Sequence, residues 1–119
     1  MTIRKMKESD IPAVTKIEQL THIQPWSENV LRDCYHSDYL CFVAEASGYQ
    51  KQVMGYIILS QVLEEAHLLN LCVSLESQGL GLGRELTARG IKEVLKSGAR
   101  KMFLEVRRSN LKAIGLYEL

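Results

Sequence analysis

The chain has no apolar run approaching the roughly 20 residues that a membrane-spanning helix needs, so a helical membrane protein is not expected. A secretory leader is not expected at its start either, because Arg4, Lys5, Lys7, Glu8 and Asp10 interrupt any apolar segment there. A cytoplasmic location, with no membrane partner, is the expectation. Charge of one sign is scarce: 15 basic residues stand against 14 acidic ones, and no long basic run occurs. Bulk electrostatics therefore gives no reason to expect a nucleic-acid partner. Cysteine is scarce too. Cys34, Cys41 and Cys72 are odd in number and show no Cys-x-x-Cys spacing, which argues against a disulfide framework. A metal site assembled from Cys34, His36, His67 and Cys72 would match no familiar zinc spacing, so no metal is expected. Internal repeats and low-complexity segments are missing as well. With 119 residues, 46% hydrophobic and 24% charged, the composition is that of one domain, 1–119, around one core.

Against that background one stretch stands out, Gln78-Gly79-Leu80-Gly81-Leu82-Gly83-Arg84. It follows the apolar run Leu68-Leu69-Asn70-Leu71-Cys72-Val73, which reads as a buried strand, and it opens a helical pattern running to about Ser97. Glycines at alternate positions remove Cβ atoms where the strand turns into the helix, so a ligand can approach the backbone. A helix start also offers N–H groups without internal partners and the positive end of the helix dipole. Together these suit a phosphate or pyrophosphate. A P-loop is excluded because Arg84 is followed by Glu85, with no Lys-Ser/Thr pair. The dinucleotide fingerprint Gly-x-Gly-x-x-Gly would need glycine where Arg84 stands. The same glycines would also serve a plain turn that caps a helix.

The remaining pattern predicts a mixed sheet. Residues 2–6 form a first edge strand, and Ser9 or Asp10 caps a helix with Pro12 in its first turn. Ile11, Val14, Ile17 and Leu20 mark that helix's buried stripe, and Ser27 caps a second helix that buries Val30, Leu31, Cys34 and Tyr35. Strands follow over 39–46, 53–62 and 66–73, with turn signals at Ser47-Gly48 and Glu64-Glu65. Leu82, Leu86, Val94 and Leu95 pack the next helix on the sheet, and Gly98 ends it in a left-handed cap. A strand at 101–106 and a last helix from about Leu111, capped by Ser109 or Asn110, complete the order. Only the final strand–helix–strand passage implies parallel pairing. The fold class is α+β, an α/β/α layering of a mostly antiparallel sheet with helices on both faces. The repeated strand–helix alternation of a dinucleotide-binding fold is not present.

The pattern Gln-x-x-Gly-x-Gly followed by Arg84 resembles the coenzyme A pyrophosphate loop of the GNAT family of N-acetyltransferases. The resemblance extends over nearly the whole chain and is nearest to the bacterial ribosomal-protein-alanine N-acetyltransferase subgroup. It is carried by Ile17-Glu18-Gln19, Pro25-Trp26-Ser27, Glu65-Ala66-His67-Leu68-Leu69-Asn70, Leu104-Glu105-Val106-Arg107-Arg108-Ser109-Asn110 and Ala113-Ile114-Gly115-Leu116-Tyr117-Glu118. The resemblance implies acetyl-CoA as cosubstrate and the N-terminal α-amine of a protein, a ribosomal one in that subgroup, as acceptor. It implies that main-chain groups of Leu71, Cys72 and Val73 pair with the pantetheine arm. It places the pyrophosphate on the backbone of Gly79, Leu80, Gly81, Leu82, Gly83 and Arg84, with Asn110 touching the cofactor. Trp26 lies in the loop where the family receives its peptide, and is equally readable as a core anchor.

Glu105 resembles the family's general base and Tyr117 its general acid. An α-amine with a pKa of about 7.7–8.0 is largely protonated at neutral pH, and a phenol with a pKa of about 10 keeps a proton to give. The plainer readings are a salt bridge from Glu105 to Arg84 or Arg107, and a packed helix tyrosine at 117. A backbone N–H near Cys72 would steady the carbonyl oxygen. Cys72 itself is not expected to be a nucleophile, and His67 reads as structural.

Two departures from the family stand in the sequence. Ser74-Leu75-Glu76-Ser77 replaces a proline-containing turn, and the chain stops at Leu119, where the family continues through two more strands. The sheet is therefore expected to lack its last two strands. Weakened activity, a module that binds CoA without turnover, or self-association through the uncovered edge would each follow.

Overall fold

The computed structural model describes residues 1–104. Its strands are β1 (Thr2–Lys5), β2 (Leu40–Glu45), β3 (Val53–Val62), β4 (Glu65–Val73) and β5 (Lys101–Leu104), and its helices α1 (Ile11–Thr21), α2 (Glu28–His36) and α3 (Leu82–Lys96). A short 3-10 turn, Glu8–Asp10, leads into α1, and another, Leu75–Ser77, follows β4. The strands lie in the order β1-β2-β3-β4-β5. The first four are antiparallel neighbours, and β5 runs parallel to β4 after the crossover through α3.

Alternation along the strands divides the interior into two layers. Phe42, Ala44, Ile57, Leu59, Ala66 and Leu68 point toward α3, where Leu82, Leu86 and Val94 meet them. Cys41, Val43, Tyr56 and Ile58 point the other way, against Ile11, Val14 and Ile17 of α1 and Leu31 and Cys34 of α2. The α3 layer is tight. A Cβ on Gly55 would stand 2.8 Å from the Cys72 carbonyl oxygen, and one on Gly90 would stand 3.0 Å from Ile57 Cδ1.

One irregularity re-phases β4. Ile58 pairs with Asn70 but the next residue, Leu59, pairs with Leu68, so Leu69 is an extra residue in β4. A one-residue insertion exchanges the two faces of a strand beyond it. Before the bulge the α3 side takes Ala66 and Leu68; after it that side takes Leu71, and Cys72 turns to α1.

Several sequence expectations are met: β3 has its predicted bounds, Ser27 Oγ accepts the Val30 N–H at 3.2 Å as an N-cap, and Gly98 is left-handed at φ 93°. Others need correcting. Leu20 is exposed and Glu18 occupies the buried stripe of α1 instead, with Ile11, Val14 and Thr15. Leu20 lies two and a half turns beyond Ile11, which puts it on the opposite side of the helix. Val30 and Leu95 are likewise exposed, and only Leu31 and Cys34 of the second helix are buried. Asp10 makes no side-chain cap to α1. Its carboxylate accepts the Lys7 N–H at 2.7 Å and two bonds from Arg4 at 2.8 and 2.9 Å.

Candidate active site

The site is built where β4 runs into α3. Among the described residues β5 pairs with β4 only over Glu65 to Leu68, and β4 then carries on past the bulge through Leu71, Cys72 and Val73. Leu71 is buried on the α3 side, and Val73 packs half-buried on the same layer. Cys72 is buried on the α1 side, with its Sγ 2.8 Å from Thr21 Oγ1. The turn beyond β4 is held by main-chain bonds, Ser74 N–H to Met54 O at 2.8 Å and Ser77 N–H to Ser74 O at 2.9 Å. Gln78 Nε2 donates back to the Val73 carbonyl at 3.1 Å.

The chain then passes through left-handed Gly79 (φ 84°) and Gly81 (φ 82°), the second being the N-cap of α3. Both conformations cost an L-residue with a side chain energy that glycine does not incur. Gly81 has no side chain to cap the first turn, so among the described residues no side-chain cap stands before the N–H groups of Leu82, Gly83 and Arg84. Among the described residues a Cβ at either Gly79 or Gly81 would meet nothing within 4 Å, so the space they leave beside this backbone is open. Leu80 and Arg84 are exposed around it, while Leu82 is turned into the α3 core. An open, positively polarised helix mouth suits a pyrophosphate.

Trp26 lies in the connection 22–27 between α1 and α2. Its side chain is half-buried against the α1-side core, and its backbone N–H donates to Glu18 Oε2 at 2.8 Å. His67 stacks on Phe103, with ring centroids 5.2 Å apart. Glu105, Asn110 and Tyr117 lie outside the described residues.

Sequence reasoning assigned no role to the buried polar cluster beside Cys72. Glu18 is fully buried, and its Oε1 accepts from the Tyr56 hydroxyl at 2.5 Å and from Asn70 Nδ2 at 2.8 Å. His22 Nε2 stands 3.4 Å from the same oxygen, one turn along α1. Burial, then the nearby Cys72 and Glu18, raise the Tyr56 phenol far above its ordinary value, so it remains a donor. Burial, and then the nearby Cys34, push the Cys41 thiol up to about 12, and burial with the nearby Asp33 also raises Cys34, which leaves both as inert thiols at neutral pH. The signal for the cluster was available in the helix period, since Glu18 lies seven residues after Ile11, nearly two turns on.

This sheet, bulged at the strand that precedes a glycine-opened helix, is an acetyltransferase fold. The chain belongs to the acetyltransferase (GNAT) family, whose model matches residues 10–119. It is 39% identical over 117 residues to ribosomal protein bS18-alanine N-acetyltransferase of Escherichia coli K12, a match covering 98% of this chain and 77% of that protein. The crystal structure of the Escherichia coli ribosomal-protein-alanine N-acetyltransferase superposes with a TM-score of 0.84 over 98% of this chain and 74% of that one. Rv2747 of Mycobacterium tuberculosis, solved in complex with CoA, shares the fold at 18% identity and a TM-score of 0.77, over 97% of this chain and 70% of that one.

Proposed function

We propose that the protein transfers the acetyl group of acetyl-CoA to the N-terminal α-amine of a protein, in the cytoplasm, with a ribosomal protein as the substrate class. The observation that carries this reading is the 39% identity to a ribosomal-protein-alanine N-acetyltransferase along 98% of the chain. The glycine mouth of α3 supports the cosubstrate, because Gly79 and Gly81 leave open space beside the backbone at the start of the helix. In this reading the backbone from Gly79 to Arg84 holds the pyrophosphate, and Asn110 makes a further contact to the cofactor. Main-chain groups of Leu71, Cys72 and Val73 take the pantetheine amides as an added strand would.

Transfer is direct, within a ternary complex. Glu105 takes the proton that the α-amine must lose before its lone pair can attack the thioester carbon. The carbonyl oxygen gains charge in the tetrahedral intermediate, and a main-chain N–H near Cys72 steadies it. The carbon–sulfur bond then breaks, and Tyr117 protonates the departing thiolate. Trp26 borders the place where the acceptor peptide enters.

The test is incubation of the chain with acetyl-CoA and a panel of N-terminal peptides, read by mass spectrometry. Acetylation of α-amines that rises between about pH 7 and 8, as the amine loses its proton, is the expected outcome. Binding of acetyl-CoA without acetylation of any N-terminus would reject the acceptor, and failure to bind acetyl-CoA would reject the whole reading.

A further inference from the structure

We propose that Glu18 is a positioning residue for the acceptor: its carboxylate fastens the α1–α2 connection, through the Trp26 N–H, to β4 at Asn70. The inference rests on the function proposed above. One oxygen of Glu18 accepts from the loop, at 2.8 Å from Trp26 N, and the other accepts from the sheet, at 2.5 Å from Tyr56 Oη and 2.8 Å from Asn70 Nδ2. His22, at the start of the connection, adds its Nε2 at 3.4 Å. The carboxylate thus bridges the acceptor loop and the residue that immediately precedes Leu71-Cys72-Val73.

Packing alone does not account for this group. A carboxylate without hydrogen bonds is costly to bury, and apolar residues of similar volume often replace buried ionic groups without loss of stability. A hydrocarbon at 18 could fill the space, but it could not hold a loop N–H and two donors of the sheet at fixed distances. An ionised carboxylate accepts at both oxygens, whereas a carboxamide accepts at one and donates at the other. In Glu18→Gln either the loop or the sheet therefore faces a donor where it needs an acceptor. Whichever way the carboxamide turns, the link between loop and sheet is broken and the loop is no longer held to β4, while the size of the side chain is kept.

Trp26 is the chain's only tryptophan, so its fluorescence reports this loop directly. The experiment measures acetylation kinetics of an N-terminal alanine peptide, acetyl-CoA affinity by calorimetry, Trp26 emission, and hydrogen exchange at the Trp26 amide. In Glu18→Gln, the acceptor KM should rise about tenfold while kcat changes less than about threefold and acetyl-CoA affinity stays within about twofold. Trp26 emission should shift to the red and its amide should exchange faster. Tyr56→Phe, which keeps the ring and removes one donor to Glu18, should move the same quantities by about threefold, and it decides the matter if Glu18→Gln does not fold.

A folded variant with unchanged acceptor KM and unchanged emission would overturn the proposal. So would an equal loss of acetyl-CoA affinity, which would mark Glu18 as general scaffold. If the unaltered chain binds acetyl-CoA but acetylates no N-terminus, the functional reading fails by itself. Emission and amide exchange then still decide whether Glu18 holds the loop, and no change in either would overturn it.

Discussion

The two sides of the sheet solve different problems. Toward α3 the buried cluster is hydrocarbon: Phe42, Ala44, Ile57, Leu59, Ala66, Leu68, Leu71, Leu82, Leu86, Val94 and Ala99. Toward α1 the hydrocarbons share the interior with the Glu18 carboxylate, the Asn70 carboxamide, the Tyr56 phenol and the Cys72 thiol. Close packing without polar groups fixes where α3 sits, and with it the glycine mouth. Directional hydrogen bonds fix where the α1–α2 connection sits, which packing of a loop against a sheet does poorly. The bulge at Leu69 joins the two regimes, because it turns Leu71 to the dry side and Cys72 to the polar one.

That contrast breaks most readily on the dry side. Leu86→Ala removes a fully buried side chain from the α3 layer and should cost about 3 kcal/mol. Thermal unfolding would show it, and the acceptor KM of the folded fraction should be unchanged. Gly55→Ala drives a Cβ to 2.8 Å from the Cys72 carbonyl oxygen, so the backbone of β3 or β4 must yield. The expected cost is about 2 kcal/mol, read by urea unfolding.

On the α1 side the hydrogen bonds at the edge are electrostatic. Arg4 bonds Asp10 at 2.8 and 2.9 Å and Glu45 at 2.8 Å. Burial alone would raise the Asp10 carboxyl, but the Arg4 and Lys7 hydrogen bonds outweigh it and hold it below the usual range; Arg4 does the same for Glu45. A depressed carboxyl gives stability that is present above its unfolded pKa of about 4 and is lost as pH falls through the folded value. Arg4→Met should therefore cost about 1.5 kcal/mol at neutral pH, through the Asp10 bonds. The gap from the unaltered chain should close below about pH 4, as urea unfolding at each pH would record.

The smallest change tests the mouth itself. Gly81→Ala at φ 82° adds a methyl into open space, so the cost is backbone strain of about 1 kcal/mol. Acetyl-CoA affinity should fall with it, by calorimetry, while peptide KM does not move.

Much of this architecture was legible in the residues. β3 announces itself by ten residues rich in Ile, Val and Tyr, Ser27 by its capping oxygen, and the mouth of α3 by glycines that positive φ requires. What escaped has common causes. Leu20 matched the apolar pattern locally yet falls on the wrong side of the helix, and Glu18 was passed over because a charged residue is not expected on a buried stripe. The bulge at Leu69 has no composition of its own, since an apolar run reads the same with or without one extra residue. The Glu18 cluster draws on α1, β3 and β4, and although the helix period places Glu18 on the buried side, nothing in that period names Tyr56 and Asn70 as its partners. Glu105, Asn110 and Tyr117 were legible through the family resemblance alone, and they lie outside the described residues.

The most direct test of the central claim is single-turnover transfer from acetyl-CoA to an N-terminal alanine peptide, comparing the unaltered chain with Glu105→Gln under equal cofactor saturation. The account predicts that the unaltered chain acetylates the α-amine, whereas Glu105→Gln binds acetyl-CoA as tightly and transfers about a hundredfold more slowly. Equal transfer by both proteins, or acetylation confined to lysine side chains, would contradict it.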